Sequence, residues 1–155
     1  MDHGRSLLAE AIAHRKRGRH DFAIMFYATW VEHWVNGMIL VGATRMGLEP
    51  AEARQFLRET RLPSKVGHLW TLLFGEPLPD GVGGKIAKVA KARNDFIHYK
   101  WEGFPVDEDD DRGHLQQVAA LADELVNELN EVEERIVFSG RHSDLARVLA
   151  QMQPS

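Results

Sequence analysis

Apolar residues recur at steps of three and four nearly throughout the 155 residues, and no stretch alternates apolar with polar in the β-branched manner of a half-buried strand. That periodicity confines the chain to helices. The predicted class is an all-α, single-domain bundle of about five to seven helices. Length agrees, because a chain of this size buries about two thirds of its unfolded surface around one core, so residues 1 to 155 read as one helical domain.

Glycine and proline divide the pattern. A first helix is predicted over residues 5 to 17, ending at Gly18, after which Asp21 is placed to N-cap a long second helix reaching about Met46. Pro50 and Pro63 suit first turns and open shorter helices over residues 50 to 60 and 63 to 74. Residues 75 to 84, with Pro77, Pro79 and four glycines, read as a loop. A fifth helix follows over residues 85 to 98, then an irregular loop over 99 to 110 containing Gly103 and Pro105. The last long helix, residues 111 to 137, carries Leu115, Val118, Ala122, Leu125, Leu129, Val132 and Ile136 as a heptad seam. Such a seam serves a bundle or a dimer interface alike, and packing within the chain is the plainer use. Gly140 ends it, and residues 144 to 152 read as a short terminal helix.

The second helix is apolar on so many sides, from Phe22 through Trp30 and Trp34 to Val41, that it must be largely enclosed. Its polar exceptions, Thr29, Glu32, His33 and Asn36, fall at i, i+3, i+4 and i+7 and form one narrow stripe. A stripe of that kind faces water, a partner or a site, because burying an unpaired carboxylate is costly.

Composition removes several kinds of chemistry. The chain has no cysteine, so disulfides, thiolate metal sites and cysteine nucleophiles are absent. The histidines are scattered without an HExxH pattern, and the acidic run Asp107 to Asp111 lacks the alternating ligands and central glycine of a calcium loop, so no metal or cofactor is expected. Gly81 to Gly84 has neither the preceding strand nor the GKS/T ending of a phosphate loop and reads as a linker. The start Met1 Asp2 His3 Gly4 Arg5 lacks the pattern of a secretory signal, and no apolar run is long enough to span a bilayer, which makes a cytoplasmic location the default expectation, with no membrane partner. A net charge of -4 argues against coating nucleic acid by bulk positive charge. Locally, however, Arg15, Lys16, Arg17 and Arg19 form a basic run between His14 and His20, which is either a solvated linker or a sequence-independent attraction for a phosphate backbone.

On the fifth helix Ile86, Val89, Ala90, Phe96 and Ile97 mark the apolar side, and Arg93 falls in its middle. A permanently charged guanidinium there must snorkel outward or meet a carboxylate or phosphate with its planar fork of donors. Glu32, in the polar stripe of the other enclosed helix, is the best available partner. His98 lies five residues on, about 140° around an ideal helix and about 7.5 Å along it, so it converges with Arg93 only if the helix ends just beyond His98. The plainer role for His98 is to complement the negative end of the helix.

Arg93 Asn94 Asp95 Phe96 Ile97 His98 resembles the Arg, polar residue, three to five others, His motif of the HEPN superfamily ("higher eukaryotes and prokaryotes nucleotide-binding"). The resemblance extends over about residues 20 to 137, since that family is a helical bundle with the motif on a late helix after a long aromatic-rich one. Spacing alone selects nothing, because Arg15 to His20, Arg61 to His68 and Arg135 to His142 offer similar intervals. Those pairs straddle Gly18, Pro63 and Gly140, whereas only Arg93 is followed by Asn and sits on the apolar face of a helix.

The resemblance implies a metal-independent endoribonuclease of the toxin or defence type, a homodimer with its two motifs facing one cleft, and a nucleotidyltransferase-like antitoxin as a partner. It assigns Arg93, Asn94 and His98 to the catalytic site and nothing else, while Glu32 enters as a supporting residue for Arg93 from its place in the polar stripe. RNA carries its own nucleophile in the 2′-OH, so the protein need only move protons, for which histidine is suited near neutral pH, and stabilise charge on the phosphate. Asn94 is placed to hold the imidazole or the phosphate by hydrogen bonding. Tyr99 and Trp101 are placed to stack on an unpaired base, or else to fill the bundle core. The rival expectation is a non-catalytic helical module that binds a nucleotide or a protein partner through the same cleft.

Overall fold

The computed structural model describes residues 3–102 and 108–138. Helix α1 (His3–Lys16) turns at Gly18, whose φ of 71° lies in the left-handed region, into the long α2 (His20–Arg45). After α3 (Pro50–Glu59) the chain makes a kinked segment, α4 (Leu62–Ser64), a π-helical turn (Lys65–Leu69) and α5 (Trp70–Phe74). Two long helices complete the bundle: α6 (Val82–Glu102) and α7 (Glu108–Glu133), the latter running on into a second π-helical turn (Glu134–Phe138). Among the described residues every regular element is helical, so the molecule is an all-α bundle.

Helix α2 is the axis. Its Ala23, Ile24, Tyr27, Ala28, Trp30, Val31, Val35, Met38 and Ile39 are all buried, and α1, α3, α6 and α7 pack around it. Tyr27 meets Asp123 and Trp34 meets Glu133, so α2 and α7 run in the same direction. Lys85 pairs with Glu128 while Asp95 lies by His114, so α6 runs against α7. The heptad seam of α7 is spent inside the bundle. Val118, Ala122, Leu125, Leu129 and Val132 are buried in the core, with Leu115 and Ile136 packed at its margin.

Several boundaries differ from the sequence expectation. Helix α2 opens after Arg19 without any side-chain cap, so Asp21 is a first-turn residue and not the N-cap. The helix expected over residues 63 to 74 breaks at Gly67, whose φ of -99° and ψ of -109° are not helical. Helix α6 begins at Val82, directly after a turn at Gly81 with φ 83°, so Gly83 and Gly84 lie in its first turn. It also continues to Glu102, past the expected end at His98. Helix α7 starts at Glu108, inside the acidic run, where carboxylates suit the positive end of a helix. The Gly140 break and the helix expected over 144 to 152 lie outside the described residues. No described helix is long and apolar enough to cross a membrane.

Candidate functional site

Helix α6 buries Val82, Ile86, Val89 and Ala92, a run at steps of four and three, and Arg93 follows at the edge of that face. Ile97, expected on the same face, is 38% exposed, because a step of four from Ala92 leads to the half-buried Phe96 and leaves Ile97 turned outward. From the edge Arg93 reaches across to α2. Its Nη1 donates to Oε2 of Glu32 at 2.8 Å, while Nε and Nη2 both donate to Oδ1 of Asn94, at 3.3 and 3.2 Å. These bonds leave one N–H on each terminal nitrogen of the fork. The Arg93 side chain is 25% exposed and that of Glu32 45%, so the pair sits where the bundle meets solvent.

The polar stripe of α2 is thereby resolved residue by residue. Thr29 returns its hydroxyl to the carbonyl of Met25, Glu32 holds Arg93, and His33 is exposed. Asn36 accepts a hydrogen bond from Nζ of Lys65 at 2.7 Å. Lys65, in the π-helical turn, is buried at 6% exposure, and the lost hydration pushes its amine below the ordinary lysine range, opposed by the nearby Glu32 carboxylate. Glu32 thus pairs directly with Arg93 and attracts Lys65 without bonding to it. Lys65 was missed by the sequence reading, yet it carries the same signal as Arg93. It falls on the apolar line of Leu62, Val66 and Leu69, which Gly67 then interrupts.

Asn94 engages the guanidinium of Arg93, the part of the motif next to it, whereas the sequence reading gave it the imidazole or the phosphate. His98 is exposed, on a helix that stays regular for four residues beyond it. The helix end that would have let His98 converge with Arg93 is therefore not where it was expected, and one chain does not place the two on a common face.

The basic run divides. Arg15 lies one turn after the buried Ala11 and points inward, its Nη2 donating to Oδ2 of Asp123 at 3.0 Å while Oδ1 accepts the hydroxyl of Tyr27 at 2.8 Å. Its guanidinium is thereby engaged within the bundle. Lys16, Arg17 and Arg19 are exposed, and the guanidinium of Arg19 lies 5.8 Å from the ring centroid of Phe22. Tyr99 and Trp101 belong to the helical backbone of α6, but their side chains lie outside the described residues. Among the described residues no three metal-ligating side chains gather in one place.

The arrangement presents a fixed, partly exposed arginine fork at the margin of the bundle, with exposed cations at the α1–α2 corner and a histidine about one and a half turns along the same helix. Compared with protein-family models, curated proteins and solved structures, the chain matches none.

Proposed function

We propose that the chain is a metal-independent endoribonuclease of the HEPN type, active as a homodimer. The observation that carries this reading is the setting of Arg93. A guanidinium held by Glu32 and Asn94 keeps unspent donors for the two non-bridging oxygens of a phosphate, which an ammonium cannot engage in the same bidentate way. Glu32 and Asn94 fix the fork and Arg93 stabilises the charge that builds on phosphorus.

His98 moves the protons. The 2′-OH loses its proton as its oxygen forms a new bond to phosphorus, the bond to the 5′-oxygen breaks, and that oxygen takes a proton, leaving a 2′,3′-cyclic phosphate. Since Arg93 and His98 of one chain look to different sides of α6, a two-fold pairing in which Arg93 of one copy meets His98 of the other completes the site. The exposed Ile97 beside His98 supplies apolar surface for such a contact. Lys16, Arg17 and Arg19 attract the RNA backbone.

The same separation of Arg93 from His98 favours the second reading, a module that binds nucleotide or protein without cutting. Incubating total RNA with the purified chain and with His98→Ala decides between them. Cleavage by the native chain alone supports the nuclease, and intact RNA in both arms supports the binding module.

A further inference from the structure

The α1–α2 corner, the middle of α6 and the start of α7 enclose a cleft of about 620 Å³, within the range that small-ligand sites occupy. Its walls combine aromatic rings with arginines. Phe22 enters from α2, 41% exposed, and Phe96 from α6. Exposed Arg19 and Arg112 stand at the rim with Asp21 as an opposing charge, so among the described lining residues arginines outnumber carboxylates. His20, also in the wall, has a buried Nδ1 without a hydrogen-bond partner, a group whose need a bound ligand can meet.

Phe22 is held firmly. It is the outer member of a stacked column in which Phe26 lies 5.4 Å and Phe22 5.3 Å from the His14 ring between them, and the Arg19 guanidinium rests against Phe22 in turn. Aromatic rings beside arginines are the combination that single-stranded nucleic acid uses, base on ring and phosphate on cation. The cleft is also placed next to the candidate site. Phe96 follows Arg93 by three residues, about 4.5 Å along α6 and about 60° around it.

We infer that this cleft is a subsite for one unpaired nucleotide of the RNA strand, its base against Phe22 and Phe96 and its phosphate on Arg19 and Arg112. The inference rests on RNA being the ligand at Arg93, but not on the strand being cut. It gives the protein a handle on the nucleotide adjoining the one held by Arg93.

The test uses a probe that cannot be cleaved, a 2′-O-methyl hexanucleotide carrying 2-aminopurine at its centre, whose fluorescence is quenched on stacking. Binding by the native chain with quenching, roughly tenfold weaker binding by Phe22→Leu and near-native binding by Phe22→Trp are the expected results. Because Phe22 touches His14, Arg112→Gln on an exposed rim position is the second arm, and it should reduce the salt dependence of binding by about one phosphate contact. Equal affinity and equal salt dependence in native chain, Phe22→Leu and Arg112→Gln would overturn the subsite, as would failure of the native chain to bind. Quenching that follows the variants while total RNA stays intact would keep the subsite and overturn the nuclease.

Discussion

Arg93, Glu32 and Lys65 show how a charged side chain on an apolar helical line marks a site. At Arg93 the signal was legible in the sequence, partner included, because α6 and α2 are long helices with unbroken periodicity. At Lys65 the same signal was hidden, since the host segment is short and kinked at Gly67. The pairing of Arg15 with Asp123 was hidden for another reason. A run of like charges reads as solvated, and only the phase set by buried Ala11 turns this one member inward. Replacing Glu32 by Gln should cost no more than about 1 kcal/mol, as both side chains are partly exposed and solvent screens their attraction. Arg93→Lys should keep the fold and lose most RNA cleavage, a split that denaturation and a nuclease assay read separately. Tyr27 gives a pH signature. Burial, and then its hydrogen bond to Asp123, hold the phenol protonated well above the ordinary value near 10. The unfolded chain loses that proton first, so stability is full below about pH 10 and declines as pH rises further. Tyr27→Phe should be less stable than the native chain at pH 8 and decline less between pH 9.5 and 11, as followed by urea midpoints.

Among the elements, α2 decides the rest, because a helix apolar on most sides recruits neighbours all round it, and that was visible in the sequence. Element ends were less legible. The run Gly81 to Gly84 looked like a loop, yet only Gly81 needs a positive φ and the next two glycines enter α6. Tyr99 to Glu102 looked like a fray but continue the helix, which removes the end-of-helix convergence expected for His98. Two glycines inside α2 should respond oppositely to alanine. At Gly37, exposed and with nothing within 4 Å of where a methyl group would sit, Gly37→Ala should stabilise by roughly 0.5 to 1 kcal/mol through helix propensity. At Gly42 the added carbon would sit 2.9 Å from Cβ of Leu73 and 3.1 Å from Cζ of Phe74, so α2 and α5 must part. Gly42→Ala should therefore destabilise by about 1 to 2 kcal/mol net of the propensity gain. Thermal melts of the two variants in parallel check the contrast.

At the scale of the whole molecule, α7 commits its heptad seam to the core, so the proposed dimer has to use another surface, and Ile97 with His98 on the outer side of α6 is the one the proposed mechanism needs. If each site joins Arg93 of one copy to His98 of the other, Arg93→Ala and His98→Ala chains, inactive alone, should regain activity when unfolded together and refolded as a mixture. Mixed dimers then carry one intact site. Mixtures that stay inactive would show that each chain supplies its own pair. The central claim is the route of cleavage, and one substrate tests it: a short RNA with a single 2′-deoxy substitution at the mapped cleavage site, assayed in excess EDTA beside its all-ribose parent. The account predicts that the parent is cut to a 2′,3′-cyclic phosphate and the substituted strand is left whole at that position. Loss of cutting with EDTA, or cutting at the deoxy position, would contradict it.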